Sequence, residues 1–356
     1  MLCYTGIRAM RFSSLSGLTI DTLIDSVIAI SQKLDERWPE ISCCIVTTFL
    51  LFGWIITTAL FFLFFFTDYY WLSLLYSVWY CLDWNQPITD ASRVSPSLRH
   101  ASLFRHFAQY FPVKVIRTVD LPAQNNYIFG YHPHGIAALG SFAAFLTEGA
   151  DFARIFPGLR AWHLLSRVAF YWPVMRDVWR LLGACAATKE NVARITETKG
   201  NVIVVLAGGA GEALESHPGG SQCVLKHRKG FIKAALENGC HLVPVFAFGE
   251  NDLYRQAVAN PPKSLIRKVQ KFLHKWTGFV PVMFYGKGVC GWRYGFMPAQ
   301  QPVNIVVGPP IPVPRITTPS DQEISELHRK YRHALMLLFH EYKGHFGMAD
   351  NELTFI

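Results

Sequence analysis

A long apolar segment near the N-terminus dominates the pattern of hydrophobic and polar positions. Residues 43–66 read CCIVTTFLLFGWIITTALFFLFFF and carry no charge. As a helix this segment would be about 36 Å long, against roughly 30 Å of hydrocarbon in a bilayer. The sequence therefore predicts a transmembrane helix. A buried helix of a soluble core is disfavoured, and a cleaved signal peptide is disfavoured because about 40 residues precede the run and no cleavage site follows it.

A second apolar segment follows almost at once. Thr67 and Asp68 separate the first run from YYWLSLLYSVWYCL, residues 69–82, which is uncharged and rich in Tyr and Trp. It is too short to cross a bilayer by itself, and such aromatic residues concentrate at membrane interfaces. The pattern predicts a transmembrane helical hairpin over residues 43–83 that returns both chain ends to one side. An inverted, single-span topology is the alternative.

Beyond residue 95 the pattern changes to short β-branched runs that alternate with helical stretches. The predicted strands are 127–131, 202–206, 242–248 and 303–307, and the predicted helices are 138–150, 160–183, 188–199, 226–238, 263–276 and 321–343. This alternation is typical of an α/β domain in which helices flank a parallel or mixed sheet. Neither a repeat nor a long linker interrupts it. Residues 84–356 are therefore predicted to form one domain, preceded by the hairpin and by an N-terminal segment of residues 1–42.

The distribution of charge predicts which side of the membrane the two ends of the hairpin face. The chain carries 34 basic and 25 acidic residues; 30 basic and 19 acidic ones lie in residues 83–356, against four and five in residues 1–42. Lys and Arg near membrane segments stay in the cytosol, so the large domain is predicted to be cytosolic. A composition of 51% apolar and only 17% charged residues indicates membrane contact. No recognised nucleic-acid-binding module accompanies the positive charge, so nucleic acid is not an expected partner.

The segment 263–276 has the spacing of a basic amphipathic helix. Its apolar stripe, surrounded by five basic side chains, comprises Leu265, Ile266, Val269, Phe272, Leu273 and Trp276. Such a helix is typical of the membrane interface. A surface helix whose stripe packs against the core is an equally favoured alternative.

The eight cysteines show neither a CxxC pair nor regular spacing. The sequence therefore predicts no zinc site and no disulfide framework, and the cysteines are expected to be small core residues in a reducing compartment.

The most informative local motif is Tyr131-His-Pro-His-Gly135, where a predicted strand ends and a helix begins. Strand ends are where α/β domains place their sites. If the chain stays extended through Pro133, His132 and His134 point to the same face. A neutral imidazole can then take a proton from an attacking alcohol. A metal-binding pair lacks further ligands at sensible spacing, and a structural, hydrogen-bonded pair is the remaining alternative.

A glycine-rich turn follows the predicted strand 202–206. The sequence Gly208-Gly-Ala-Gly211 leads directly into Glu212. Neither a GxGxxG fingerprint nor a Gly-Lys-Ser/Thr motif is complete here, so nucleotide binding of those kinds is disfavoured. Glycines let backbone amides approach a ligand, and Glu212 could orient an imidazole or stabilise its charged form. The alternative is a tight turn in which Glu212 is an acid in the first turn of a helix.

A basic cluster lies at residues 226–229, Lys-His-Arg-Lys, immediately before Gly230. Basic side chains beside a helix N-terminus form an anion site that suits a phosphorylated ligand. A solvated charge run is the alternative. The absence of a GxSxG motif disfavours a serine esterase of the α/β-hydrolase type.

On these residues the chain resembles the type-2 diacylglycerol acyltransferase family, which includes the monoacylglycerol acyltransferases. Together with the hairpin and Asp83-Trp84, the shared motifs are Tyr110–Pro112, Asn126–Gly135, Phe156–Gly158, Gly208–Leu214, Arg228–Phe231, Phe248–Asn251 and Val306–Gly308. Each motif is weak alone, but their order is highly specific. More distant relatives carry a His-x4-Asp motif. Counted from His132, the Asp position holds Ala137, and Glu212 is the candidate substitute.

The resemblance implies an enzyme of the endoplasmic-reticulum membrane with a cytosolic catalytic domain that also reaches lipid droplets. It implies transfer of a fatty acyl group from acyl-coenzyme A, as co-substrate, to diacylglycerol, with no separate cofactor. Monoacylglycerol or a long-chain alcohol is the alternative acceptor, and an inactive lipid-binding protein is the alternative from another class. The lipid bilayer is the expected environment, and a second copy of the chain is a further candidate partner.

The predicted site follows from the motifs and the resemblance together. The predicted catalytic residues are His132, His134 and Glu212. The predicted substrate-binding residues are Gly135, Gly208, Gly209, Gly211, Arg228, Lys229, Gly230 and Asn251. In this hypothesis either imidazole removes the proton of the acceptor hydroxyl, Glu212 holds that imidazole, and the basic residues bind coenzyme A phosphates.

Overall fold

The computed structural model describes residues 20–84, 93–261, 263–277, 280–289 and 292–356, without the side chains of residues 20–34, 276 and 277. Residues 1–19 of the predicted N-terminal segment lie outside these ranges, as do Cys3 and Cys290. The six described cysteines are free thiols.

Two N-terminal helices fold back on each other. Helix α1 spans Ile20–Phe64 and helix α2 spans Tyr70–Leu82. Ser73 Oγ donates a hydrogen bond to the Phe61 carbonyl at 2.8 Å and so joins the start of α2 to the end of α1. Within the described residues, the single stretch long and apolar enough to cross a membrane is Asp35–Phe64. Helix α1 runs without a break through the predicted boundary between residues 42 and 43, so residues 20–42 and the first apolar run belong to one helix.

A buried ion cluster fixes the hairpin to the rest of the chain. Asp83, just after α2, is only 2% exposed and contacts the buried guanidinium groups of Arg176 and Arg180. Arg93 Nη1 donates to the same carboxylate at 2.6 Å. Because removal of one partner would leave buried charges without compensation, this cluster holds the hairpin in one orientation.

A central sheet of seven described strands forms the core of the large domain, in the order β1-β10-β7-β2-β5-β3-β4. The strands are β1 (Val113–Arg117), β2 (Tyr127–His132), β3 (Arg160–Leu165), β4 (Ala184–Ala186), β5 (Asn201–Val205), β7 (His241–Phe248) and β10 (Val303–Val307). β10 is antiparallel to β7, and the other neighbours are parallel. The mixed α/β sheet predicted from the sequence is confirmed. The carboxyl ends of β2, β3, β5 and β7 therefore meet at one edge.

Short strands and helices complete the fold around this sheet. The two-stranded pairs are β6 (Gln222–Cys223) with β11 (Thr354–Phe355), and β8 (Arg255–Gln256) with β9 (Phe284–Tyr285). The helices are α3 (Pro96–Arg99), α4 (Ser102–Tyr110), α5 (Leu139–Ser141), α6 (Phe152–Ile155), α7 (Met175–Leu182), α8 (Lys189–Thr196), α9 (Gly209–Ala213), α10 (Gly230–Asn238), α11 (Leu265–Thr277) and α12 (Asp321–Tyr342).

The two faces of the sheet bury different sets of side chains. On one face Phe129 and Tyr131 pack in a cluster that includes α1 residues such as Val46 and Phe residues of α4. On the other face Ile128 packs with residues of α8, α10 and α12. Because successive side chains of a strand point to opposite faces, β2 contributes to both clusters. Strand β2 thus lies between the α1 face and the α12 face.

Two sequence predictions of secondary structure are wrong, and two strands were not predicted. Residues 160–165 form the buried strand β3, followed by a 3-10 turn at Arg167–Phe170 and then α7, in place of one long helix. The predicted helix 138–150 is a short α5 that continues as a π-helical turn, Phe142–Leu146. Strands β1 and β4 had no prediction. In β3 the sheet buries Trp162 and His163 on opposite faces, and tertiary burial outweighs the helical spacing of the apolar residues.

Candidate active site

His132 is the last residue of β2 and is fully buried. Its Nε2 lies 3.2 Å from the Tyr331 hydroxyl, and that hydroxyl donates to the Gly130 carbonyl at 3.1 Å. Since the single hydroxyl proton goes to the carbonyl, Nε2 must carry its own proton and donate to Tyr331. Among the described residues, Nδ1 has no hydrogen-bond partner. Burial lowers the pKa of His132 to about 3, so the ring is neutral and enclosed.

His134 is only partly buried and has a different environment. Its Nδ1 lies 3.0 Å from the Gly135 carbonyl. A carbonyl can only accept, so Nδ1 carries the proton and the lone pair of the neutral ring is on Nε2. Burial lowers the pKa of His134, and the bond to the Gly135 carbonyl opposes that shift. His134 therefore has the tautomer that a general base needs.

The two imidazoles do not lie side by side as an extended chain would place them. Strand β2 ends at His132, and the His132–Pro133 peptide is cis. His132 contacts Tyr331 of α12, whereas His134 is close enough to His163 of β3 to lower the pKa of that ring electrostatically. The period-two alternation on which the same-face prediction rested therefore stops before His134.

Glu212 lies in the short helix α9, is 1% exposed, and joins the two histidines. Its Oε1 accepts a hydrogen bond from the backbone N–H of His134 at 3.2 Å. One ligand atom each of His132, Glu212 and Cys223 lies within 4.8 Å of the others. The carboxylate thus holds the His134 backbone and lies near the His132 ring. These three side chains are the described set from which a metal site could be built.

Burial raises the pKa of Glu212 to about 7, and hydrogen bonds from the His134 and Val224 amides oppose the shift. Its Oε2 has no hydrogen-bond partner among the described residues. A Cβ at Gly208 would lie 1.4 Å from that oxygen. Position 208 therefore admits only glycine while Glu212 keeps this conformation.

The predicted basic cluster precedes α10 instead of forming its first turn. Helix α10 begins at Gly230, and residues 226–230 are exposed. Arg228 Nη2 lies 3.4 Å from the Gly208 carbonyl, and Lys229 Nζ donates to Ser325 Oγ at 2.9 Å. Arg228 thus lies beside the Glu212 turn, while Lys229 extends toward α12. Arg228 therefore borders the same edge of the sheet as His134.

The remaining predicted positions have distinct surroundings. Gly209 has φ +56°, and nothing lies within 4 Å of a Cβ placed there. A Cβ placed at Gly211 would lie 3.5 Å from Arg228 Nη2. Asn251 is 6% exposed, donates to the Gly220 carbonyl, and accepts from Ser216 Oγ, each at 2.8 Å. The Asn251 amide therefore joins two parts of the loop that follows α9.

A second carboxyl group, Glu250, was not predicted as a site residue. It is 2% exposed, and its Oε2 accepts from the Tyr131 hydroxyl at 2.6 Å and from the Gly140 amide at 3.0 Å. Gly135 has φ +63°, and a Cβ there would lie 2.8 Å from Glu250 Cγ. Burial raises the pKa of Glu250 to about 7. Its place in the Phe248–Asn251 motif was the available sequence signal.

Other residues near the site gave no sequence signal. Ser141 Oγ lies 2.8 Å from His163 Nε2, and burial lowers the pKa of His163 to about 3. Tyr331 and Cys223 are buried and adjoin His132 and Glu212. These contacts join residues far apart in the chain, and neither spacing nor composition indicates such pairs.

The chain matches known proteins over most of its length. A family model described as diacylglycerol acyltransferase matches residues 62–356. The chain is 40% identical over 291 residues to 2-acylglycerol O-acyltransferase 1 of Bos taurus, covering 80% of this chain and 85% of that protein. It is 37% identical over 326 residues to Diacylglycerol O-acyltransferase 2 of Homo sapiens, covering 90% and 83%.

Among solved structures, the 1-acyl-sn-glycerophosphate acyltransferase PlsC of Thermotoga maritima aligns with 84% of this chain and 94% of its own. The sequence identity is 10% and the TM-score is 0.39, which is too low to support a conclusion.

Proposed function

Because the chain belongs to the diacylglycerol acyltransferase family, we propose that it transfers a fatty acyl group from acyl-coenzyme A to the free hydroxyl of diacylglycerol. The products are triacylglycerol and free coenzyme A. The match over residues 62–356 supports this assignment because it includes every predicted site residue. The 40% identity to a 2-acylglycerol acyltransferase makes monoacylglycerol the second candidate acceptor. Acyl-coenzyme A is the co-substrate, and the scheme requires no cofactor.

The observation that carries the mechanism is the hydrogen bond from His134 Nδ1 to the Gly135 carbonyl. It leaves the lone pair on Nε2, which takes the proton of the acceptor hydroxyl as the oxygen attacks the thioester carbonyl. When the tetrahedral intermediate collapses, the C–S bond breaks and the imidazolium returns the proton to the departing thiolate. Glu212 keeps His134 in place through its backbone and favours the transient positive charge on the ring.

The negative oxygen of the tetrahedral intermediate needs hydrogen-bond donors. The Gly209 amide already donates to the Leu206 carbonyl at 3.0 Å. Ala210 and Gly211 belong to the first turn of α9, where amides lack a partner within the helix. In this proposal those two amides serve the oxyanion.

The basic cluster supplies the site for the coenzyme A phosphates. Arg228 is exposed, lies against the Gly208 carbonyl, and lowers the pKa of Glu212 electrostatically. A guanidinium group binds phosphate oxygens through two parallel hydrogen bonds. Arg228 and Lys229 would therefore hold the soluble end of the donor while its thioester reaches His134.

In this proposal the acyl chains of the acceptor bind in an apolar groove between the hairpin and the large domain. This groove has a volume of about 420 Å³, and its lining includes Phe61, Phe62, Tyr76, Tyr80, Tyr171 and Trp172. Volumes of this size are typical of ligand pockets. Tyr171 and Trp172 belong to the loop that follows β3, whose carboxyl end shares the sheet edge with His134. In this proposal a lipid acceptor reaches the site from this groove.

We place the enzyme in the endoplasmic-reticulum membrane, with the hairpin in the bilayer and the large domain in the cytosol. The exposed apolar side chains of α2 and of the second half of α1 support this location. A hairpin with both ends on the cytosolic side is also compatible with the monolayer of a lipid droplet.

An acyl-transfer assay tests the proposal. Purified full-length protein in micelles receives labelled oleoyl-coenzyme A together with diolein, monoolein or hexadecanol. We expect triacylglycerol as the main product, and we expect His134→Ala to lower its rate about 10³-fold, the scale of lost general-base catalysis. The exposed His333→Ala is the matched control and should keep normal activity. Preference for monoolein would favour the second acceptor, and normal transfer by His134→Ala would refute the mechanism.

A further inference from the structure

Helix α11 presents its apolar residues to the outside and its polar residues to the protein. Leu265 is 76% exposed and Val269 is 49% exposed. Arg267 and Gln270, on the opposite side, are 2% and 5% exposed. A soluble surface helix has the reverse arrangement, with the apolar stripe on the core. The alternative of a core-packed stripe is therefore wrong for Leu265 and Val269.

Specific polar contacts fix this orientation of α11. Arg267 Nη2 donates to the Asn260 carbonyl at 2.7 Å, and its Nη1 pairs with Glu215. Gln270 Nε2 donates to the Pro281 carbonyl at 2.9 Å and its Oε1 accepts from Asn260 at 2.7 Å. If the helix rotated to bury Leu265, the guanidinium of Arg267 and the amide of Gln270 would lose these hydrogen bonds. That loss is costly for a buried charged group. The outward apolar row is thus a stable feature of the fold.

The charges of α11 suit a surface that carries phosphates. Its sequence, LIRKVQKFLHKWT, contains no acidic residue. Lys268, Lys271 and Lys275 are exposed, and helical geometry places all three along one edge of the apolar row. Long lysine side chains beside an apolar stripe reach phosphate groups while the stripe enters the acyl layer.

A row of residues leads from α11 to the membrane helix α1, and Met283 and Tyr294 within it are exposed. Pro281, which accepts from Gln270, precedes Met283, which is 55% exposed. Tyr285 of β9 contacts Tyr294, which is 57% exposed, with ring centroids 5.3 Å apart. Phe296 then contacts Phe52 of α1 at 5.6 Å. Exposed aromatic residues beside a membrane helix are typical of the headgroup region.

We propose that α11 and this row form a second membrane contact that lies in the phospholipid headgroup layer of the bilayer containing α1. We call it the α11 belt; it comprises Leu265, Val269, Met283, Trp292 and Tyr294. Trp292 is 77% exposed. The occupant is a phospholipid surface because the belt joins α1 at one end and carries lysines along α11. The belt holds the sheet edge close to the bilayer, independently of which acceptor the enzyme uses.

Photo-crosslinking in full-length protein tests the α11 belt directly. Benzoylphenylalanine replaces Val269, and the protein is reconstituted into phosphatidylcholine vesicles with about one fifth phosphatidylserine. The matched control carries the same residue at Leu337, which is 55% exposed on α12, on the other face of the sheet from α1. We expect at least tenfold more lipid adduct at position 269 than at position 337, with unchanged thermal unfolding for both.

The outcomes separate the lipid surface from other occupants. Equal lipid adducts at the two positions, or an adduct at position 269 with a second copy of the chain, would overturn the proposal. Replacement of Lys268 and Lys271 by Gln should reduce the adduct several-fold, whereas Gln at the exposed Arg329 and Lys330 of α12 should not. Crosslinking needs no turnover, so a His134→Ala background should give the same result even if the proposed reaction fails.

Discussion

Two buried carboxyl groups approach the His132–Gly135 turn from opposite faces of the sheet. Glu212 contacts it from the α12 face, beside His132 and Cys223. Glu250 contacts it from the α1 face, beside Tyr131. Burial raises the pKa of each to about 7. Each also lies against a glycine that admits no Cβ in this arrangement, Gly208 for Glu212 and Gly135 for Glu250.

The surroundings of the two carboxyl groups differ in what they connect. Glu212 joins the His134 backbone to a turn bordered by the exposed Arg228. Glu250 joins Tyr131 to the Gly140 amide inside the core. Equal burial and equal pKa shifts therefore accompany two roles. In the proposed mechanism the charge of Glu212 acts on the reaction, whereas Glu250 positions the turn through hydrogen bonds.

Substitution by glutamine should separate the two roles most strongly. Glu212→Gln keeps an oxygen for the His134 amide but removes the charge that favours the imidazolium, so we expect turnover to fall about 100-fold. Glu250→Gln keeps an acceptor for Tyr131 and Gly140, so turnover should fall less than about threefold, while Glu250→Ala should lose about tenfold. Steady-state kinetics of the purified variants measures these values. Similar losses for both glutamine variants would contradict the comparison.

A glycine substitution tests the geometry of the Glu212 face. A methyl group at position 208 must displace Glu212 Oε2, so Gly208→Ala should lower turnover by about 30-fold while coenzyme A binding changes little. Gly344→Ala is the matched control because nothing lies within 4 Å of a Cβ at that position and Gly344 is not among the predicted site residues. Turnover is measured at saturating acyl-coenzyme A. An active Gly208→Ala enzyme would show that the Glu212 conformation is dispensable.

The positive charge of Arg228 should affect the affinity for acyl-coenzyme A more than it affects turnover. Removal of the Arg228 guanidinium in Arg228→Ala should raise KM for acyl-coenzyme A about tenfold with turnover changed less than about threefold. The difference from wild type should shrink at high salt because exposed charges are screened. Lys233→Ala, which removes an exposed cation of α10 paired with Glu237, is the control. A selective loss of turnover in Arg228→Ala would assign that residue to the chemical step.

The pH dependence of stability gives the smallest expected effect. The folded pKa of Glu250, about 7, lies above its ordinary value of 4.5, so its contribution to stability is full below pH 4.5 and is lost as pH rises through 7. That loss amounts to about 3 kcal/mol. The unfolding temperature of Glu250→Gln minus that of wild type should therefore increase by a few degrees from pH 5 to pH 8. Buried histidines titrate identically in both proteins, so a constant difference would contradict the raised pKa.

The sequence predicted the parts of the fold that depend on local pattern. Strands β2, β5, β7 and β10 are short runs of apolar and β-branched residues, and the long apolar run lies in α1. The same reasoning failed at residues 160–183, because the apolar spacing there fits both a helix and a buried strand followed by a helix. Burial of Trp162 and His163 on opposite faces decided between them, and that depends on neighbouring strands.

In the candidate site, too, local motifs could be recognised in the sequence, whereas contacts between distant residues could not. The motifs pointed to His132, His134, Glu212 and Arg228 because each lies at or near the end of a predicted strand or the start of a predicted helix. The tautomer of each imidazole could not be predicted, because it depends on Tyr331, 199 positions beyond His132, and on the carbonyl of Gly135. The orientation of α11 could not be predicted either, because it depends on the burial of Arg267 and Gln270.

A direct comparison of His132→Asn with His134→Asn tests the central claim that the partly buried imidazole is the base. Turnover with diolein and the unfolding temperature are measured on the same purified samples. The account predicts that His134→Asn loses turnover about 10³-fold at an unchanged unfolding temperature. It predicts that His132→Asn unfolds at a lower temperature but keeps turnover within about tenfold of wild type per folded molecule. A thousandfold loss in a normally stable His132→Asn, together with an active His134→Asn, would contradict it.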